Sequence, residues 1–219
     1  MTDRPANGAM DPEVVARLRR MARGRAAPEP PAATAAAAVE GARCDLCGGR
    51  MSEDHRHLLD VHERRILCAC EPCVAMRSGE DHLRPTGTRV LLLEGFELGD
   101  ELWAKFQIPI GLAFFLRNAG GVVALYPSPA GATECELYLD AWNELVAANP
   151  VLSDLEPDVE ALIVNRLADP PAHAIVPIDR CYELVGMIKA SWEGISGGDA
   201  VPTSVEAFFA RLRDTRSAA

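Results

Sequence analysis

The chain has 219 residues, 48% hydrophobic and 25% charged, with a formal net charge of −10 at pH 7. That is enough to bury one sizeable core with residues left for a small appended module. The acidic balance argues against a nucleic-acid binder, which needs cations to displace phosphate counterions; no apolar run nears the ~20 residues of a membrane helix.

Residues 1–40 predict an amphipathic helix followed by a Pro/Ala linker, largely disordered. Asp11 is a candidate N-cap with Pro12 at the first helical position, and Val14, Val15, Leu18 and Met21 share a face. The run AAPEPPAATAAAAVE at 26–40 removes backbone donors and favours extended chain. Residues 1–26 carry six arginines against three acids, so the charge of the remainder is −13. The basic head reads as a solvated helical tail. Its first residues lack the apolar stretch of a secretory signal, so the expected compartment is the cytoplasm, where thiols stay reduced.

Residues 41–77 form a Cys-rich metal-binding module. Five of the seven cysteines fall there, as Cys44-x2-Cys47-x20-Cys68-x-Cys70-x2-Cys73. Paired thiols at this spacing in a reducing compartment point to a metal site before disulfides. Cys44-Asp-Leu-Cys47-Gly-Gly predicts a knuckle, in which Gly48 takes φ > 0 and backbone N–H groups reach the sulfurs. His57–Val61 and Arg65–Cys68 predict a hairpin around His62-Glu-Arg, and Cys70-Glu-Pro-Cys73 a second knuckle. Knuckle, hairpin, knuckle is a zinc-ribbon-like arrangement. Cys44, Cys47, Cys70 and Cys73 would close a tetrahedral structural site for zinc; an iron–sulfur cluster is the alternative, since four cysteines serve it equally well. Cys68, His55 and His57 are surplus to one tetrahedral ion, as additional or substitute ligands. Cys68 reads either as a buried strand cysteine or as a ligand, and His55 and His57, two apart, face one side of a strand.

Residues 78–219 predict an α+β body: a mainly antiparallel sheet with packed helices, placed on one face. Strands are expected at 90–93, 110–116, 122–126, 161–167 and 174–178, with an extension over 135–139. Helices are expected at 100–106 and 140–148, capped by Asp100 and Asp140, at 180–192, and from a cap at Thr203 or Ser204 onward. Ser128, Thr133 and Glu134 could present a polar loop, against a plain proline-fixed turn. Asp158 and Glu160 could pair as carboxylates, or simply alternate on an acidic surface. Asp179 reads as a helix cap, and Cys181 as a packing cysteine whose pKa the helix start would lower. There is no dinucleotide fingerprint, P-loop, nucleophile elbow or HExxH. The balance leans away from an enzyme without excluding one.

Taken together, CDLCGG, HRHLLD, CACEPC, IPIGLAFF, YPSPAGATE, LEPDVEAL, VPIDRCYELVG and WEGISGG resemble an uncharacterised bacterial domain-of-unknown-function family over roughly residues 42–213. Its members tend to be encoded beside uptake nickel–iron hydrogenase genes. The resemblance implies a metal-binding accessory or assembly protein whose partner is a hydrogenase subunit or maturation factor, and it transfers no catalytic residue. The competing function is an iron–sulfur redox protein relaying electrons to or from a partner enzyme.

Overall fold

Leu112-Ala-Phe-Phe-Leu116 and Ala161-Leu-Ile-Val164 are apolar on successive residues. A strand turns successive side chains to opposite faces, so such strands need cover on both sides. The computed structural model, which describes residues 42–52, 55–135, 137–193, 198 and 200–217, supplies it. The predicted N-terminal helix at 11–24 and linker at 26–40 lie outside those residues.

The cysteine-rich segment builds a three-stranded antiparallel sheet of order β2-β1-β3 from β1 (Arg56–Asp60), β2 (Arg65–Ala69) and β3 (Leu83–Pro85). Helix α1 (Glu71–Arg77) follows β2. Leu58, Leu67, Ala69, Val74 and Leu83 form a small apolar cluster between this sheet and α1. The tight turn after β1 places Arg64 at φ 52. Asp60 holds it, accepting hydrogen bonds from the backbone N–H groups of His62 and Glu63, each at 3.0 Å.

The main sheet has six antiparallel strands in the order β4 (Leu91–Leu92), β9 (Ala172–Pro177), β8 (Glu160–Asn165), β5 (Leu112–Asn118), β6 (Gly121–Ser128), β7 (Gly131–Cys135). Its helices are α2 (Asp100–Lys105), α3 (Leu139–Ala148), α4 (Ile178–Ser191) and α5 (Ala200–Ser217), with a 3-10 turn at Pro150–Asp154. The fold is α+β. Phe114, Leu116, Ala161 and Ile163 pack on one side against Cys181, Leu184 and Ile188 of α4 and Phe208, Phe209 and Leu212 of α5. Phe115, Leu162 and Val164 pack on the other against Leu102, Phe106, Trp142, Leu145 and Leu152. The expectation of helices on one face is therefore corrected: the sheet is the middle of three layers.

Local differences have simple causes. Ser128 pairs with Gly131 across a two-residue turn, so β7 runs over Gly131–Cys135 and ends at the residue where an extension over 135–139 was expected to begin. Asp100 and Asp140 lie inside their helices; the N-caps are Gly99 and Tyr138. Thr203 and Ser204 likewise lie inside α5, and the Ser204 hydroxyl donates to Ala200 O at 3.0 Å.

The two sheets belong to one compact unit, Gly41–Ala219. On β2, Leu67 and Ala69 face α1, while the alternate residue Ile66 packs on the main core. Ion pairs span the same junction: Arg64 to Glu134 at 3.4 Å and Arg84 to Asp158 at 3.1 Å.

Candidate metal centre

All seven cysteines are free thiols. One donor atom from each of Cys44, Cys47, Cys70 and Cys73 lies within 4.8 Å of the others, so this cluster could hold a metal ion. The Cys47 and Cys70 sulfurs are 3.7 Å apart. That is far beyond a disulfide bond of about 2.05 Å and close to the roughly 3.8 Å edge of a tetrahedron whose Zn–S bonds are about 2.3 Å.

The knuckle has the expected construction. Cys44 N–H donates to Gly49 O, and Gly48 N–H to Cys44 O, both at 2.8 Å. Gly48 sits at φ +71, a conformation that penalises a side chain. A Cβ on Gly49 would lie 3.2 Å from the Cys47 sulfur, so that position also admits close backbone approach. Asp45 ties the knuckle to β2: its N–H donates to Cys68 O at 2.8 Å, and its carboxylate accepts from Cys68 N–H at 2.7 Å. The second pair is presented differently from the expected knuckle. Cys70 is the N-cap of α1, with Pro72 in the first turn, and Cys73 lies in that same turn. Proline, which lacks an N–H, fits a helix start, so Cys70-Glu-Pro-Cys73 opens a helix.

The sulfurs cannot share the negative charge of four thiolates unaided. Burial opposes ionisation of Cys44, which is 2% exposed, but N–H groups of Cys70, Cys47 and Leu46 outweigh it and hold this thiol down at about 6. Cys70 N–H reaches the Cys44 sulfur at 3.4 Å. The Cys73 thiol, hydrogen-bonded to the Cys70 side chain, partly desolvated and facing Cys47 and Cys44, is pushed up to about 12. At Cys47 the Gly49 N–H favours the thiolate, yet the Cys44 and Cys70 sulfurs leave its pKa raised. The surroundings thus favour ionisation of Cys44 and oppose it at Cys47 and Cys73. A cation at the centre removes that conflict, because coordination deprotonates thiols.

Cys68 groups elsewhere. Its sulfur lies with donor atoms of His55 and His57, all within 4.8 Å of one another, and its pKa is raised by burial, then by Asp45 and Cys44. His57 Nδ1 is 2.7 Å from Asp179 Oδ2. Asp179 is thus no helix cap: α4 is capped by Pro177, with no side-chain cap bond, and the carboxylate reaches across to β1. It is the site residue that sequence reasoning misassigned, and the 122-residue separation left no local signal for it.

The other polar candidates are used structurally. The Ser128 hydroxyl donates to Gly131 O at 3.1 Å and accepts from Ala130 N–H and Thr133 Oγ1, while Glu134 pairs with Arg64. Asp158 pairs with Arg84, and buried Glu160 receives a two-pronged contact from Arg89, the Nε arm at 2.7 Å. Cys181 is fully buried and packs as expected, but burial raises its pKa well above the ordinary thiol range, the reverse of the expected helix effect.

The fold and site define an α+β protein with a cysteine cluster able to bind a metal ion. Residues 43–216 match the model of a family of unknown function, DUF5947, and the chain belongs to that family. No curated protein and no solved structure matches it. Among the described residues, no helix is long and apolar enough to cross a membrane.

Proposed function

We propose that Cys44, Cys47, Cys70 and Cys73 bind one zinc ion as a structural clamp, and that the protein is a non-enzymatic, cytoplasmic accessory or assembly factor. In this reading residues 41–77 are the metal module and 78–219 the body that it helps present to a partner. The carrying observation is the mutual approach of four thiols to within 4.8 Å. A set this tight suits a single ion. A polynuclear iron–sulfur cluster interposes several metal and sulfide atoms and spreads its cysteine ligands farther apart. Four thiolates also leave no open position for substrate or water, which favours structure over catalysis.

The bound ion would supply charge compensation for the thiolates and a cross-link between the knuckle and α1. The chain's own residues do the positioning: Gly48 and Gly49 admit the tight turn, Asp45 fixes it to β2, and N–H groups stabilise the sulfur charge. The nickel–iron hydrogenase as partner rests on the family resemblance of the motifs; the exposed face of α1, with Met76 81% exposed, is a surface open to a partner.

Two measurements test the reading. Protein purified without oxygen should be colourless and contain zinc bound by the four cysteines; a brown protein carrying iron and sulfide would replace the clamp with the redox alternative. Tagged protein expressed in its native host should co-purify a hydrogenase subunit or maturation factor. Recovery of none, with hydrogen uptake unchanged on deletion, would remove the hydrogenase link.

A further inference from the structure

We propose a second metal site, separate from the four-thiolate cluster and going beyond the structural clamp, in which His55, His57 and Cys68 bind a first-row divalent cation at the junction of the small sheet and the body. Three observations converge on it. First, the donors are brought together by register. His57 and Cys68 are direct partners across the β1–β2 ladder, and His55 lies two residues before His57 on the same side. The imidazole rings are 4.8 Å apart, edge to face, and the three donor atoms lie within 4.8 Å of one another.

Second, each imidazole is oriented by an oxygen on its Nδ1. His55 Nδ1 lies 3.0 Å from Ser52 O, a carbonyl that can only accept, so Nδ1 carries the proton. His57 Nδ1 donates to the Asp179 carboxylate at 2.7 Å. In its neutral form each ring so oriented keeps its lone pair on Nε2. Carboxylate and carbonyl partners behind histidine are the usual means of fixing a metal ligand's tautomer and raising its basicity. The structural alternative, a histidine simply ion-paired to Asp179, accounts for one ring only and leaves the convergence of the other two donors unexplained.

Third, the two imidazoles border a hollow of about 250 Å³ whose lining also includes Arg56, Thr86, Asp179 and Arg180. Asp179 Oδ1 is buried without a hydrogen-bond partner among the described residues. Three protein donors leave a fourth position to solvent or a small exogenous ligand, in contrast to the closed four-thiolate cluster. Two imidazoles and one thiolate are a borderline donor set that zinc satisfies, and hard calcium or magnesium does not. Tetrahedral donors around zinc sit roughly 3.3–3.8 Å apart, so donors within 4.8 Å of one another need contract by no more than about 1–1.5 Å.

The test uses the full chain, dialysed against buffered Zn2+ and assayed for bound metal. Wild type should hold two ions. Cys68→Ser and His57→Gln should each hold one, with near-UV circular dichroism unchanged. Asp179→Asn should bind the second ion about 10–100-fold more weakly, the usual loss when a partner behind a ligating histidine is removed. A wild-type chain saturating at one ion that Cys44→Ser removes would overturn the second site and leave the clamp standing. So would two ions retained in both Cys68→Ser and His57→Gln. One ion lost in His57→Gln and kept in Cys44→Ser would support the second site and overturn the clamp.

Discussion

Chelating the clamp ion should unfold the small module while leaving the body intact. The apolar cluster of the small sheet, completed by β3 just beyond the module, contains four sizeable side chains, Leu58, Leu67, Val74 and Leu83. At roughly 1.5–3 kcal/mol for each side chain buried, they contribute on the order of 6–12 kcal/mol. A structural zinc ion contributes about 10–16 kcal/mol in peptides of similar kind at pH 7. Removing the ion therefore takes away a contribution as large as the module's whole core and leaves the buried Cys44 sulfur without its counter-charge. The body keeps two much larger clusters, one on each face of its sheet. The composition makes the assay clean, because residues 41–85 contain no Phe, Tyr or Trp. Near-UV circular dichroism and the fluorescence of Trp103, Trp142 and Trp192, all in the body, then report on the body; Trp142 is 5% exposed and stacks on Phe115. After chelation, hydrogen exchange should accelerate at the amides of Leu58 and Leu67 with the aromatic signals unchanged. Retained protection at those amides would refute the clamp, and simultaneous loss of the tryptophan signal would refute local unfolding.

Other outcomes follow from the body. Glu160→Ala removes the hydrogen bonds from Arg89 and from Glu156 N–H and should cost about 1–3 kcal/mol, because the arginine left behind is 42% exposed and solvent screens its charge; denaturant midpoints measure it. His173 is held down at about 4 by burial and then by the Arg166 charge. An unfolded histidine titrates near 6.5, so between roughly pH 6.5 and 4 the unfolded chain binds a proton that the folded chain refuses. Stability should fall as pH falls through that window, and His173→Gln should flatten this part of the profile; an identical pH dependence would refute the assignment. Native protein should leave Cys181 unalkylated, since its thiol is fully buried with a raised pKa, while exposed Cys47 becomes reactive once metal is removed. Mass mapping of the modified cysteines decides this.

The parts of the fold that were legible in sequence are those set by neighbouring residues. Cysteine spacing pointed to the cluster, Gly48 to the knuckle's positive φ, and paired apolar runs to the antiparallel strands. The placement of helices on one face went wrong at residues that carried the answer. Phe114 and Phe115 are adjacent and both buried, which only a sheet covered on both sides allows. Pro72 likewise signalled a helix start where a second knuckle was expected. The His57–Asp179 contact had no such signal, since it joins the small sheet to a helix far along the chain. Register made Cys68 a neighbour of imidazoles, although its spacing alone fits the four-thiolate set equally well.

The central claim, one zinc ion on four thiolates, is tested most directly by native mass spectrometry of the full chain purified without oxygen. A mass increment corresponding to zinc should be present and should lose one ion in the double variant Cys44→Ser, Cys47→Ser. An increment of iron and sulfide, or the full zinc increment retained by that double variant, would contradict the account.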